Sequence, residues 1–146
     1  MVKELFEKAG LFEYAPCSKT LGFELLELDI KAGTTKVKFA GKSEFANPMG
    51  TIQGGFLAAM LDDTIGMLCM VKMGGRAIVS TIDLNVQYLR PIHCKKSEND
   101  VTVSAKITST GKNIMFAEAE LYDSRNKIAA RATSSLAISK IKQGEE

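Results

Sequence analysis

Gly54 and Gly55 open a long apolar segment, and the carboxylates Asp62 and Asp63 interrupt its middle. From Thr51 or Gln53 to about Met70 nearly every position is apolar, with Phe56, Leu57, Met60, Leu61, Ile65 and Leu68 spread around all sides. That pattern predicts a helix buried on most sides rather than one with a single apolar stripe. The helix starts after Asn47-Pro48, because the residue before a proline disfavours helical geometry. The first N–H groups of a helix have no partners within it, and its dipole favours negative charge there. Gly54 and Gly55 therefore offer donors to an oxygen that gains charge during a reaction, with no side chain in the way. The competing use of such a pair is close packing of helix on sheet. Asp62 and Asp63 are the only carboxylates of the segment. A charge buried there is costly unless paired, so each carboxylate either does chemistry, as nucleophile or base, or lies along an exposed edge. The exposed edge is the reading expected for Asp63. Asp62 follows Gly54 by eight residues, or ~12 Å at ~1.5 Å per residue. One carboxylate cannot span that distance to a carbonyl held at Gly54. If both act on one substrate, they come from different subunits.

The elements that must position these residues are legible from periodicity. Lys3 to Ala9 reads as a short amphipathic helix ended by Gly10, within an N-terminal helical segment over residues 1–20. Leu21 to Asp29 and Thr35 to Phe39 read as strands joined at Ala32-Gly33. After Gly74-Gly75 comes a long strand, with Ile78, Ser80, Ile82, Leu84, Val86 and Tyr88 on one face and Val79, Thr81, Asp83, Asn85 and Gln87 on the other. Val101 to Thr108, Ile114 to Tyr122 and Ile128 to Ile138 alternate in turn, separated by polar turns, and residues 140–146 read as a frayed tail. One apolar helix with consecutive strands is an α+β plan in which an antiparallel sheet curls around the helix. A single helix covers only one face of a sheet, so the remaining edges and faces predict association with further copies.

The run Asn47-Pro48-Met49-Gly50-Thr51-Ile52-Gln53-Gly54-Gly55, followed by the helix that carries Asp62, resembles the signature of PaaI-type hotdog thioesterases. That signature has an Asn, a turn containing Gly, His-Gly-Gly, and an Asp eight residues after the first Gly of the pair. The run from Ser80 through Thr81, Asp83 and Tyr88 to Arg90-Pro91 resembles the same family's long strand. The order of elements agrees over roughly Leu21 to Ile138. The resemblance implies a hotdog fold, five to six antiparallel strands around one central helix, in a single domain over residues 1–146. It implies hydrolysis of a fatty or aromatic acyl-CoA, with the site shared across a dimer interface. Asn47 and the Gly54 N–H would stabilise the oxyanion, Asp62 would act as nucleophile or base, and Thr81 would position the attacking water. Gln53 and Gly55 would touch substrate. Arg90, Lys95, Lys96 and Lys112 are the candidates to hold the CoA phosphates. The family's histidine is Gln53 here, which can donate and accept hydrogen bonds but cannot titrate. No cofactor or metal is implied, and the assembly expected is a homotetramer built as a dimer of dimers.

Composition bounds these readings. The chain has 146 residues, 45% hydrophobic and 25% charged, with a net charge of +2, and this near balance gives no reason to expect a nucleic-acid partner. The odd set Cys17, Cys69 and Cys94 matches no zinc or redox spacing and suits a reducing, cytoplasmic location. No signal peptide or membrane span is expected, since the apolar run between Phe56 and Val71 is short and carries two charges. The one histidine, His93, lies away from both signatures, which disfavours a dehydratase of the same fold. The remaining alternatives are a non-catalytic acyl-CoA-binding hotdog protein and a purely structural oligomer, and Asp62 favours the enzyme over the binding module.

Overall fold

Alternating inward and outward residues build a six-stranded sheet, described for residues 2–8, 14–94 and 99–141 in a computed structural model. Its strands are β1 (Glu24–Asp29), β2 (Thr34–Phe39), β3 (Ala77–Tyr88), β4 (Val101–Thr110), β5 (Ile114–Tyr122) and β6 (Ile128–Lys140). They lie in the order β1-β2-β4-β5-β6-β3, antiparallel throughout. Strand β5 shows the rule plainly: Met115, Ala117, Ala119 and Leu121 are buried, and Ile114, Phe116, Glu118 and Glu120 face out.

The sheet wraps the helix α3 (Gly54–Met73). Met60, Leu61, Ile65 and Cys69 on the helix are fully buried against Val37, Phe39, Val101, Val103, Met115 and Leu121 on the sheet. Each large side chain buried this way stabilises the fold by ~1.5–3 kcal/mol. No residue from Phe56 to Met73 is exposed, as the aperiodic apolar pattern predicts. At 20 residues the helix is long and apolar enough to cross a membrane, contrary to the shorter run read from the sequence, but here the sheet embraces it as the core. Burial pushes the Cys69 thiol up to about 12, so it stays protonated. Gly74, in the left-handed region at φ 59°, ends the helix.

Two short helices precede the sheet, α1 (Val2–Lys8) and α2 (Pro16–Leu21). A file of rings, Phe6, Tyr14, Phe23 and Phe39, with successive centroids 5.5, 4.9 and 5.6 Å apart, ties α1 to the core. Proline at the first position of α2 and the left-handed Gly22 after it delimit that helix. Lys140 closes β6 and so belongs to the sheet, not to a tail. The rest of the expected tail, residues 142–146, and the expected stop at Ala9-Gly10 lie outside the described residues.

The long strand departs from the expected two faces. Thr81 pairs with Leu136 and Asp83 with Ser135, so Ile82 is an extra residue, a β-bulge. The bulge exchanges the faces midway. Ala77, Val79 and Thr81 point toward α3 before it, and Leu84, Val86 and Tyr88 point toward α3 after it. Asn85 and Gln87 line the outer face.

Candidate active site

Helix α3 and strand β3 run antiparallel, and two hydrogen bonds join them. The Thr81 hydroxyl donates to Asp62 Oδ1 at 2.8 Å, and the Tyr88 hydroxyl donates to the Gly54 carbonyl at 2.7 Å. Both strand residues reach the helix only because the bulge at Ile82 changes the parity between them. A carboxylate and a hydroxyl thus meet at one pole of the chain, and a glycine helix start and a tyrosine meet at the other.

At the glycine pole, Gln53 caps α3 with its carbonyl, which accepts from Phe56 N at 2.9 Å, and its side chain is exposed and makes no capping bond. The Gly54 and Gly55 N–H groups have no hydrogen-bond partner among the described residues. The two glycines serve different purposes. A Cβ on Gly54 would stand 3.0 Å from the Tyr88 ring, so this glycine permits close packing. A Cβ on Gly55 would meet nothing within 4 Å, so packing within the chain does not require this one, and the space beside it is open to an incoming molecule. Asn47 organises the preceding turn. Its Oδ1 accepts from Met49 N and Thr51 N at 3.0 and 3.1 Å, and its Nδ2 donates to Thr51 Oγ1 at 2.8 Å. An amide nitrogen carries two hydrogens, so one Nδ2–H remains for a ligand.

At the carboxylate pole, Asp62 is half-buried and held by Thr81. Asp63 is not on an exposed edge as expected. It faces α2, where Ser18 Oγ donates to its Oδ1 at 3.0 Å, and its Oδ2 is buried with no partner among the described residues. Burial, with the charge of Asp62 adding to it, holds the Asp63 carboxyl above the usual carboxylate range despite the Ser18 bond. The sequence carries no signal for this, because the covering helix lies 45 residues away.

The candidate cations are spread. Arg90 follows β3 at the glycine pole, where Arg90 N donates to the Ala129 carbonyl. Lys112 sits in the β4–β5 turn, beside the carboxylate pole, since the neighbouring Asn113 carbonyl accepts from Ile138 N and Ile138 pairs with Val79. Lys95 and Lys96 lie outside the described residues. His93 is exposed and bridges Thr51. Among the described residues no group of three or more His, Cys, Asp or Glu side chains is placed to hold a metal. A cavity of about 670 Å³ lies on the outer face of the sheet among Glu27, Lys36, Glu118 and Arg131, and touches none of the candidate residues.

Within one chain, then, Asp62 and Thr81 come together, as do Asn47, Gln53, Gly54 and Gly55, and the two groups stay apart by the rise of eight helical residues, ~12 Å. Tyr88, which the sequence marked only as the closing aromatic of its strand, joins the second group.

Residues 49–130 match the thioesterase superfamily. Human acyl-coenzyme A thioesterase 13 is 28% identical over 82 residues, which cover 55% of this chain and 54% of the human protein, about half its length. A phenylacetic acid degradation-related protein from Ralstonia eutropha superposes with a TM-score of 0.81 at 29% identity, covering 92% of this chain and 98% of that one. The PaaI protein of E. coli superposes with a TM-score of 0.77 at 19% identity, covering 94% of each chain, and shares the fold.

Proposed function

This chain belongs to the thioesterase superfamily and is a thioester hydrolase of the PaaI-like hotdog type, and from that premise we propose that it hydrolyses acyl-CoA at sites shared between two subunits. The observation that carries the shared site is the division of the candidate residues between two poles. Strand β3 is an edge strand 12 residues long, and an open edge of that length is a template for pairing. A second copy of β3 laid antiparallel along it by a two-fold axis brings the Asp62–Thr81 pole of one subunit to the Gly54–Asn47 pole of its partner. Ile78, Ile82, Tyr88 and Leu89, exposed along or just beyond this strand, supply apolar area for that contact.

In this reading the thioester carbonyl oxygen lies against the open Gly55 and takes donors from the Gly54 and Gly55 N–H groups and from Asn47 Nδ2. Such preorganised donors stabilise the oxyanion of the tetrahedral intermediate. Asp62 of the other subunit delivers the attack, on the carbonyl carbon itself or through a water it deprotonates, and the CoA thiolate leaves. Thr81 fixes the carboxylate or its water. Gln53, without a titrating proton, orients the substrate. The acyl group is fatty or aromatic, the assembly is a dimer of dimers, and three free cysteines fit a reducing cytoplasm.

The test is free-thiol release from short, medium, long and aromatic acyl-CoAs. Asp62→Asn is expected to lower kcat by about 10²–10⁴ with the assembly and thermal midpoint kept. Equimolar mixing of inactive Asp62→Asn and Gly55→Val chains through unfolding is expected to restore about one quarter of the activity, because half of the dimers are hybrids with one intact site of two. Hybrids that recover nothing end the shared-site reading, and an active Asp62→Asn ends the role of Asp62.

A further inference from the structure

Beside the glycine pole lies a cleft of about 520 Å³ that no candidate residue except Arg90 anticipated. One wall is the segment after β3, Arg90 to His93. The other is the β5–β6 turn, with Ser124, Arg125 and Lys127, and Asn99 completes the lining. The two walls are tied by Leu89 N and Arg90 N, both donating to the Ala129 carbonyl, at 2.8 and 3.1 Å.

Three cations, Arg90, Arg125 and Lys127, line this cleft, exposed and without an ion-pair partner among the described residues. The one acid in the lining, Asp123, is engaged by the backbone of the turn. Its Oδ1 accepts from the N–H groups of Arg125 and Lys127, at 2.9 Å each, and so shapes the turn that presents those two residues. Asn126 holds the left-handed conformation (φ 61°) that completes the turn. Two guanidinium forks and an ammonium around one concavity match phosphate oxygens. The volume falls in the range of small-ligand sites, ~300–1,000 Å³, larger than a lone phosphate needs.

The position adds a constraint. Ile52 N donates to the Ile92 carbonyl at 2.8 Å, and Thr51 bridges His93, so the cationic wall runs beside the strand-like lead into Gly54. Two residues of extended chain and one interstrand step put the cleft roughly 10 Å from the helix start. A molecule that reacts at Gly54 and carries its phosphates at the end of a flexible arm can fill both places at once.

We propose that this cleft binds the phosphorylated nucleotide end of the CoA thioester, with Arg90, Arg125 and Lys127 on its phosphates, while the pantetheine arm leads to Gly54. The proposal rests on the acyl-CoA reading above and adds to it the turn at residues 123–127.

The test compares kcat/KM for an acyl-CoA with that for the same acyl group on pantetheine, which lacks the nucleotide. The wild type is expected to prefer the CoA ester. The double substitution Arg125→Ala with Lys127→Ala is expected to raise KM for acyl-CoA about tenfold and to bring the ratio of the two substrates toward one. The charge-preserving Arg125→Lys with Lys127→Arg is expected to restore most of the preference. Adenosine 3′,5′-bisphosphate is expected to inhibit the wild type competitively and the double Ala variant more weakly. A preference for CoA that survives in a folded double Ala variant overturns the cleft and leaves the acyl-CoA reading standing. A wild type that turns over both esters equally overturns the cleft in the same way, and a wild type that turns over neither overturns the acyl-CoA reading.

Discussion

At Asp63 the central helix holds a carboxylate with one oxygen bonded to Ser18 and the other buried against nothing polar. Its pKa in the folded chain stands above the unfolded value, so protonation favours the fold. The stabilisation from this group is complete below the ordinary carboxylate value of about 4 and is lost as pH rises through the raised one. Asp63→Asn removes the charge and keeps an oxygen for Ser18. It is expected to raise the thermal midpoint at pH 7 by roughly 2–4 °C, a modest gain because the Asn Nδ2 takes the buried place of Oδ2, where no partner stands among the described residues. Thermal unfolding of both proteins over a pH series checks the sign, since the advantage must shrink as pH falls toward 4. Asp62, its neighbour in sequence, keeps Thr81 throughout, which separates a stability effect at Asp63 from a loss of chemistry at Asp62.

Strand β3 is the element on which site geometry turns. Its bulge at Ile82 lets residues seven apart, Thr81 and Tyr88, both reach α3. Deleting Ile82 removes the parity change, so one half of the strand must turn outward. Leu84 and Val86 anchor the second half in the core, which leaves Thr81 to lose Asp62. The deletion is expected to cut kcat at least about hundredfold while circular dichroism still reports helix and sheet. Full activity in the deletion would show that the Thr81–Asp62 contact is dispensable. The bulge was hidden in the sequence for a physical reason. Ile78, Ile82, Leu84, Val86 and Tyr88 alternate as letters straight through it, and alternation marks two faces without saying where they exchange. The buried helix, the strands and the α+β plan were legible because burial on all sides and on one side leave different periods. Asp62, Gly54, Asn47 and Thr81 were legible as a spaced signature. The burial of Asp63 and the Arg90–Arg125–Lys127 cleft were not, because each joins segments that only the tertiary fold brings together.

For the molecule as a whole, the proposed division of the site between subunits would tie catalysis to assembly. Specific activity is expected to fall on dilution and to pass half its plateau near the dimer dissociation constant. Light scattering on the same samples should follow the same curve. Activity that persists in a monomeric sample would place a whole site in one chain. The free edge of β3 is the surface at stake, and a charge at Ile82 or a proline within the strand is a direct way to weaken it.

The order of elements also shapes how the chain is made. The apolar helix α3 leaves the ribosome before β3, β4, β5 and β6, the four later strands that pack on it. At ~5–20 residues per second, the roughly 65 residues of those strands and their turns take about 3–13 s to follow. For that interval the nascent chain presents a 20-residue segment with the length and composition of a membrane anchor and only α1, α2, β1 and β2 made to cover it. Helix α3 is therefore the segment a chaperone or a bilayer would compete for during synthesis, and a chain cut short before β3 would carry it without any of the later strands that cover it.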